Sequence, residues 1–411
     1  MKHIVIVGAG MSGMTAAITA AGEGIKVTLL ERQERIGKKI LLTGNGRCNL
    51  SNKDIDSSHY LTDDPGILTE ILSTYGPDEI PFRDSLGLMT KEKNGCIYPL
   101  SGQAATVLNV LRLRLSELNI HIRTDFEVCS VYKKDGLFYI ENEAGNEKIT
   151  ADILILACGG KAGVYKEQSK NGYHLCHKLG HLVLPCYPAL VQTICEGDYF
   201  KSISGVRTDV HISLFLDNEF IAEESGELQI IDKGLSGIVV FQLTRFLGTS
   251  LKEGKKGTFN IDFLPGIDHD TWHQLITERR KNMSSRSAED LFTGILHKKL
   301  IIMMLKQLNI SPACNIQDIS EDRFNELINL FKCFHVKIKG LNDFAHAQIS
   351  TGGVPLAEVD SHLESTLVPN LYIIGEMLNA AGACGGYNLH FATATGYLAG
   401  KHAKETLLRN N

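Results

Sequence analysis

The segment HIVIVGAGMSGMTAAITAAGEGIKVTLLE, His3 to Glu31, decides the fold class of this 411-residue chain. It opens with a β-branched run that is typical of a buried parallel strand. Gly8, Gly10 and Gly13 then form the pattern G-x-G-x-x-G. The first glycine permits a tight turn, the second lets the backbone approach a pyrophosphate, and the third allows the next helix to pack closely on the strand. The segment therefore predicts the first β–α–β unit of a Rossmann domain.

An acidic residue completes this unit. The segment KVTLL, residues 26–30, is predicted as the second strand, and Glu31 follows it, eighteen residues after Gly13. A carboxylate at that point is placed to accept hydrogen bonds from ribose hydroxyls, which favours FAD or NAD over NADP. The position of the unit at the start of the sequence favours FAD. We expect the neighbouring residues Met11, Ser12 and Arg32 to line the same site.

A second glycine-rich stretch, LLTGNGRCNLSN (Leu41–Asn52), needs a different explanation. Its first glycine, Gly44, lies only thirteen residues after the predicted ribose-binding acid, and no helical segment follows the loop. We therefore interpret it as an extension of the first nucleotide domain, whose backbone passes close to a flat ligand. Lys38, Lys39 and Arg47 would then be available to the phosphates. An ordinary surface turn with scattered basic residues is the alternative interpretation.

Composition and charge exclude several classes of protein. The formal net charge of −5 and a hydrophobic fraction of 43% are ordinary for a soluble globular protein and give no general attraction to nucleic acid or to an anionic membrane. No apolar run reaches the roughly 18 residues of a membrane span. The ten cysteines form no C-x-x-C pair and no metal-ligand spacing. We therefore expect free buried thiols, no metal site and a reducing, cytoplasmic location.

Three segments give the sequence a resemblance to a known family. IGKKILLTGNGRCNLSN (Ile36–Asn52), DILILACGGKAG (Asp152–Gly163) and LYIIGEMLNAAGACGGYNLHFATATGYLAG (Leu371–Gly400) are similar to the signatures of the BaiN-like family of bacterial FAD flavoproteins. That family includes aminoacetone-oxidase-like and bile-acid-reductase-like members, and the resemblance covers nearly the whole chain. It implies FAD as the cofactor, with contacts from Gly44, Gly46, Arg47, Cys48, Asn49, Val128, Ala157, Gly159, Gly160, Gly375, Glu376, Gly386, Asn388 and Leu389.

The domain organisation is predicted from the spacing of apolar residues. We expect an α/β fold in which a glutathione-reductase-type FAD-binding Rossmann domain, residues 1–189 and 340–411, carries two inserts. Segments such as TDVHISLFL alternate apolar and polar residues and predict a β-rich insert over residues 190–265. Residues 266–339 have apolar residues at helical spacing and predict a helical insert. Ile120–Lys134 is predicted as the first strand of a β-meander in the Rossmann domain.

The glycine pair near the C-terminus is predicted to aim a helix at the flavin. Gly385 and Gly386 precede a helix expected over residues 387–404, whose first amide groups carry partial positive charge. Aimed at the N1–C2=O edge of the isoalloxazine ring, they would stabilise negative charge there. Asn388 and Leu389 are the residues best placed for direct contact. A tight turn followed by a helix cap is the alternative interpretation.

The sequence assigns no catalytic side chain. It has no Ser/His/Asp order and no metal set that would compete with flavin N5 for the redox step. Tyr387, His390 and Cys384 are candidate lining residues, although a lone histidine is more often structural. Their positions beside the predicted flavin-binding turn are the only reason to single them out.

The resemblance implies an FAD-dependent oxidoreductase acting through flavin N5. It favours NAD(P)H-driven reduction of an activated C=C bond in a small or steroid/bile-acid-like organic substrate. An oxygen-using amine oxidase of the aminoacetone type is the alternative, and a non-catalytic flavin-binding sensor or interaction protein is an alternative of another class. We expect no nucleic-acid or membrane partner, and the oligomeric state is left open. Because no second G-x-G-x-x-G unit occurs between residues 160 and 340, NAD(P)H is expected to act as a transient donor at the flavin face that the substrate uses.

Overall fold

The computed structural model describes residues 1–76, 80–142, 147–163 and 172–409. The chain divides into two compact units. The first comprises Met1–Tyr187 and Gln348–Asn411, and the second comprises Pro188–Ala347. Within the described ranges, no helix is both long enough and apolar enough to cross a lipid bilayer.

The strands of both units are numbered in chain order. They are β1 (Lys2–Val7), β2 (Ile25–Leu30), β3 (Ser51–Asn52), β4 (Tyr60–Thr62), β5 (Thr90–Lys93), β6 (Cys96–Pro99), β7 (His121–Arg123), β8 (Val128–Lys134), β9 (Leu137–Asn142), β10 (Lys148–Ala151), β11 (Ile153–Leu156), β12 (Leu184–Ala189), β13 (Thr193–Cys195), β14 (Arg207–Leu216), β15 (Glu219–Ile231), β16 (Gly234–Ser236), β17 (Gly257–Asp262), β18 (Phe334–Leu341), β19 (Ile349–Gly353), β20 (Leu371–Ile373) and β21 (Ala380–Gly382).

The helices are numbered in the same way. They are α1 (Met11–Ala20), α2 (Pro65–Thr74), α3 (Ile80–Ser85), α4 (Ala104–Glu117), α5 (Tyr173–Lys178), α6 (Phe200–Ile203), α7 (Ile238–Thr244), α8 (Leu247–Lys252), α9 (His269–Asn282), α10 (Ala288–Phe292), α11 (Lys298–Gln307), α12 (Glu321–Lys332) and α13 (Tyr387–Arg409).

A parallel sheet forms the centre of the first unit. Its strand order is β20-β11-β1-β2-β7, and each neighbouring pair is parallel. Ile4 and Ile6 on β1 are completely buried, as a strand covered on both faces requires. The strand, glycine turn, helix and second strand predicted from His3–Glu31 are all present. The predicted α/β Rossmann fold is therefore confirmed.

One strand of this sheet differs from the sequence-based expectation. Ile120–Lys134 was expected to be the first strand of a meander, but it is divided into β7 and β8. The edge strand β7 pairs in parallel with β2, whereas β8 pairs with β9 in a separate antiparallel sheet. Asp125 lies between them with a φ of 52°, a left-handed conformation that interrupts the extended backbone.

Close packing between α1 and α13 fixes the C-terminal helix against the nucleotide turn. A Cβ atom added to Gly396 would lie 2.3 Å from the carbonyl oxygen of Ser12, and one added to Gly400 would lie 2.6 Å from that of Ala16. No side chain fits at either glycine without moving backbone, so the two helix backbones are in direct contact. The beginning of α13 is therefore held in a fixed relation to the beginning of α1.

The second unit is an antiparallel barrel with helices around one hydrophobic core. The barrel closes in the order β13-β16-β15-β14-β17-β18. Its final strand, β18, comes from the segment 266–339 that was expected to be helical, and it pairs with both β13 and β17. Trp272, Phe292 and Phe331 of the helices pack together in the same hydrophobic cluster as the barrel side chains. The division into two inserts at residue 265 stays a prediction.

Candidate functional site

The glycine turn after β1 leaves its backbone open to a ligand. Gly8 has a φ of 107°, and a Cβ atom there would lie 2.3 Å from the carbonyl oxygen of Ala157. A Cβ atom on Gly13 would lie 1.9 Å from the carbonyl oxygen of Gly8. By contrast, no described atom beyond the chain neighbours lies within 4 Å of the Cβ position of Gly10. The turn is therefore packed on its inner side and open at Gly10, where α1 begins, which is the geometry that a pyrophosphate requires.

Glu31 lies beside this turn and helps to hold it. Its Oε2 accepts a hydrogen bond from the backbone N–H of Ala9 at 3.0 Å, and its Oε1 accepts one from Gln33 at 2.9 Å. Each carboxylate oxygen can accept more than one hydrogen bond, so acceptor capacity remains for ribose hydroxyls. The sequence predicted the ribose contact but gave no indication that the same carboxylate supports the glycine turn.

The segment that follows β20 brings two charged side chains together. After β20, Oε2 of Glu376 lies 2.6 Å from Nζ of Lys39, while its Oε1 accepts a hydrogen bond from the backbone N–H of Ser350 at 3.0 Å. Gly160 lies against this group, because a Cβ atom there would be 2.4 Å from Oγ of Ser350. Gly375, with a φ of 67°, packs against α1, because a Cβ atom there would lie 2.6 Å from Oγ of Ser12. The sequence indicated Lys39 and Glu376 separately, but neither their pairing nor the role of Ser350.

The second glycine loop has an unusual backbone. Gly44, Asn45, Gly46 and Cys48 all adopt left-handed conformations, with φ values of 56°, 52°, 79° and 59°. Residues 44–47 are exposed, but the Cys48 side chain is completely buried, and this burial raises the pKa of its thiol to about 11. Any contact between Cys48 and a ligand would therefore come from its backbone.

The loop leads to the beginning of α13. The Oδ1 atom of Asn49 is buried and has no hydrogen-bond partner among the described residues. It lies 2.7 Å from the position that a Cβ atom would take on Gly386, and the Ser51 carbonyl oxygen lies 2.4 Å from the same position. The helical hydrogen-bond pattern starts with His390, whose N–H donates to the Gly386 carbonyl at 2.9 Å. The amide groups of residues 387–389 thus form the positive end of the helix.

Two residues expected to touch the flavin make other contacts through their side chains. Oδ1 of Asn388 accepts a hydrogen bond from the Gly382 N–H at 2.9 Å, and its Nδ2 donates to the Gly382 carbonyl at 2.9 Å. The carboxamide therefore fixes β21, and any contact between Asn388 and the ring would come from its backbone. Leu389 is half-buried and packs against the main hydrophobic core.

His390 is buried inside the first unit. A carbonyl oxygen can only accept, so Nε2 carries the proton and donates to the carbonyl of Tyr75 at 3.0 Å, while Nδ1 accepts from Oγ of Ser51 at 2.9 Å. Burial lowers the pKa of His390 to about 4, which keeps the ring neutral. These contacts give His390 a structural role. A lone histidine has such a role more often than a catalytic one.

Tyr387 and Cys384 flank the glycine pair Gly385 and Gly386, and the other predicted contacts lie elsewhere in the first unit. Tyr387 is buried, its carbonyl accepts a hydrogen bond from the Tyr60 hydroxyl at 2.9 Å, and its ring stacks on His59. Cys384 is half-buried just before the glycine pair, and none of the ten cysteines, all of which lie in the described ranges, forms a disulfide. Val128 is buried at the start of β8, Arg32 is half-buried beside Glu31, and Lys38 is exposed, in contrast to Lys39.

The fold and this site define a Rossmann-type FAD-binding flavoprotein. The open pyrophosphate turn, the acid at the ribose position and the N-terminal end of α13 together fit a flavin dinucleotide. The chain belongs to the family described as HI0933-like protein Rossmann domain, whose model matches residues 2–402. It is an FAD-dependent oxidoreductase, because the family and the full-length relative described next agree on that class.

Comparisons with individual proteins extend over nearly the full chain. A 3-dehydro-bile acid delta(4,6)-reductase of Clostridium scindens is 40% identical over 409 residues, which cover 98% of this chain and 100% of the relative. A ribosomal RNA dihydrouridine synthase of Escherichia coli is 26% identical and covers 96% of each chain. A flavocytochrome c3 fumarate reductase in an open conformation has the same fold, with a TM-score of 0.51 at 14% identity over 99% of this chain and 79% of that one.

Proposed function

We propose that this protein uses NAD(P)H to reduce a C=C bond conjugated to a carbonyl group in a steroid- or bile-acid-like molecule. The observation that carries the proposal is the 40% identity to a 3-dehydro-bile acid delta(4,6)-reductase over the whole length of both chains. The name of the more distant relative, a dihydrouridine synthase, also describes the saturation of a C=C bond next to a carbonyl. The two relatives thus share a reaction class although their substrates differ.

The residues of the site would bind and orient the cofactor. The backbone from Gly10 to Ser12 and the Nζ of Lys39 would hold the diphosphate, while Glu31 would hold the adenosine ribose. The amide groups at the start of α13 would stabilise negative charge at the pyrimidine edge of the ring. When bound, FAD supplies hydride transfer at N5. We assign no proton-donating role to any of these residues.

The fold of the second unit favours the proposal that the protein has a single dinucleotide site. Residues 188–347, all of which the structure describes, form antiparallel strand pairs and helices, without the parallel β–α–β unit of a separate NAD(P)H domain. A nicotinamide donor would then approach the same flavin face that the organic substrate uses, and it would leave before that substrate binds.

A uridine in ribosomal RNA is the second candidate substrate. The 26% identity over 96% of the chain favours it, whereas the net charge of −5 disfavours binding to a polyanion. An amine oxidase has weaker support, because one L-amino-acid oxidase match spans only 39 residues, about 10% of this chain. A match of that length supports nucleotide binding and not substrate choice.

Anaerobic mixing tests the proposal and separates its alternatives. We expect NADH or NADPH to bleach the flavin absorbance, and a 3-oxo-Δ4 steroid to restore it faster than ribosomal RNA or a primary amine does. Bleaching by a primary amine, followed by peroxide formation in air, would instead support an oxidase. A flavin that neither nicotinamide nor amine bleaches would contradict the proposal and support a binding role.

A further inference from the structure

The proposed reaction needs a proton as well as a hydride. Saturation of a conjugated C=C bond adds hydride to its β-carbon and a proton to its α-carbon, and enzymes commonly supply such a proton from a positioned side chain. Two titratable residues of the site are unsuited to this role, because His390 is buried and neutral, and burial raises the pKa of the Cys48 thiol to about 11. A donor must instead be an accessible side chain beside Gly385 and Gly386, the pair that precedes α13.

A three-stranded sheet, in the order β3-β6-β5, lies against that glycine pair. Nδ2 of Asn52 on β3 donates a hydrogen bond to the Gly385 carbonyl at 2.9 Å. Cys96 on β6 is the register partner of Asn52, and its Sγ lies 3.7 Å from the same carbonyl oxygen. One face of β6 therefore borders the turn before α13, the end of the cofactor site to which the proposed function assigns the flavin ring.

Tyr98 lies on that face of β6. Side chains two positions apart on a strand point to the same side, so Tyr98 shares the face of Cys96, whereas Ile97 between them is buried in the interior. Tyr98 is only half-buried, in contrast to the buried Tyr60 and Tyr387 at the same turn. The Tyr98 side chain is therefore open to a ligand.

The groups around Tyr98 suit a proton donor. Burial raises the pKa of the Tyr98 phenol, and Cys96 acts in the same direction, so the hydroxyl keeps its proton at neutral pH. Arg47 acts in the opposite direction, because its positive charge favours the phenolate. The phenol is thus protonated before the reaction, and a cation is near enough to stabilise the phenolate that donation leaves.

We propose that the Tyr98 hydroxyl donates a proton to the α-carbon of the conjugated C=C bond while hydride is added to the β-carbon. The O–H bond of Tyr98 breaks, a C–H bond forms at the α-carbon, and the phenolate takes a proton from water. The hydride, with its electron pair, comes from NAD(P)H by way of the flavin. This inference rests on the proposed function and adds a catalytic residue to it.

Stopped-flow measurement of the two half-reactions tests this role in FAD-loaded Tyr98→Phe. Reduction of the flavin by NADH or NADPH should be unchanged, because that step takes no proton from Tyr98. Reoxidation by a 3-oxo-Δ4 steroid should slow by at least about 100-fold, the lower end of the range for general acid catalysis. Tyr139→Phe, which removes a half-buried phenol from β9, is the matched control and should reduce the steroid at the wild-type rate.

A nitroalkene separates proton transfer from hydride transfer. Hydride addition to a nitroalkene gives a stable nitronate anion, so this step needs no proton. Tyr98→Phe should therefore be reoxidised by the nitroalkene at the wild-type rate and should accumulate the nitronate, which absorbance detects. Equal slowing with the steroid and the nitroalkene would show a loss of binding or alignment and would overturn the proposal.

His59 is another titratable side chain at this turn, where its ring stacks on Tyr387 and its Nε2 lies 3.1 Å from Oδ2 of Asp54. Loss of steroid reduction in His59→Gln, with retention in Tyr98→Phe, would assign the proton to His59 and contradict the proposal. If wild type and Tyr98→Phe reduce the steroid equally, the proton donor alone is wrong. If wild type leaves the steroid unreduced, the proposed function fails, and this inference fails with it.

Nitration by tetranitromethane gives a readout without turnover. A saturated 3-oxo steroid bound to the oxidised, FAD-loaded protein should protect Tyr98 from nitration and leave Tyr139 unprotected, as measured by mass spectrometry of the peptides. Nitration of Tyr98 at the same rate with and without the bound steroid would overturn the assignment.

Discussion

Nζ of Lys39 lies 2.6 Å from Oε2 of Glu376, an ion pair between residues 337 positions apart in the chain. Lys39 comes just before the second glycine loop, and Glu376 follows the edge strand β20. The pair therefore connects the loop to the Rossmann sheet. This contact supports the interpretation of the second loop as an extension of one nucleotide site over that of an ordinary surface turn.

Loss of this ion pair should weaken FAD binding. We expect Lys39→Met to reduce FAD affinity by about 1–2 kcal/mol, the lower part of the range for hydrogen bonds to charged groups, because solvent screens a half-buried pair. Fluorescence titration of the apoprotein measures this change. Glu376→Gln should have a similar effect, and the double variant should lose less than the sum of the two. Lys38 was also predicted to be available to the phosphates, but its side chain is exposed. Lys38→Met is therefore the comparison variant and should change affinity less than threefold; equal losses in both lysine variants would refute the assignment.

Glu31→Ala should affect both FAD affinity and stability. The carboxylate supports the turn through Ala9 and Gln33 and has acceptor capacity left for the ribose. We expect FAD affinity to fall by about 1–3 kcal/mol, the scale of lost charged hydrogen bonds, and the melting temperature of the apoprotein to fall as well. Glu31→Gln keeps one acceptor oxygen and should lose less. Unchanged FAD affinity in Glu31→Ala would show that the ribose contact is misassigned.

His390 should make stability depend on pH. Burial lowers the pKa of its imidazole to about 4 in the folded state, whereas the unfolded value is about 6.5. As the pH falls, the unfolded chain therefore binds a proton at this histidine before the folded protein does. The contribution of His390 to the free energy of unfolding is fully present above pH 6.5 and is lost as the pH falls from 6.5 towards 4. The full loss is about 3 kcal/mol. Denaturant unfolding between pH 7 and pH 4.5 should show a smaller decline for His390→Gln than for wild type, and parallel declines would contradict this origin.

Steady-state kinetics test the single dinucleotide site. If NAD(P)H and the organic substrate use the same flavin face in turn, double-reciprocal plots should give parallel lines. Each ligand should also inhibit competitively against the other at high concentration. Intersecting lines, or a crystal structure with both ligands bound together, would show that a separate nicotinamide site exists.

The sequence predicts well what depends on short-range patterns. The β–α–β unit can be read because Gly8, Gly10, Gly13 and Glu31 lie within one segment whose spacing has a direct geometric meaning. Contacts between distant segments leave no such pattern. The Lys39–Glu376 pair and the closure of the barrel by β18 depend on tertiary packing, as does the burial of His390 between Ser51 and Tyr75. For the same reason the sequence gives no sign that the Asn388 side chain binds the backbone of β21, and contact between Asn388 and the ring stays a prediction.

The product of a single turnover tests the central claim most directly. The purified protein, loaded with FAD and supplied with NADH or NADPH under anaerobic conditions, is mixed with a 3-oxo-Δ4 bile acid, and the products are analysed by mass spectrometry. Reduction of the conjugated C=C bond predicts a product that has gained two hydrogen atoms and lost the enone absorbance, with one nicotinamide oxidised per molecule. If the enone is recovered unchanged while the nicotinamide is oxidised only when oxygen is admitted, the protein is not a reductase of this class.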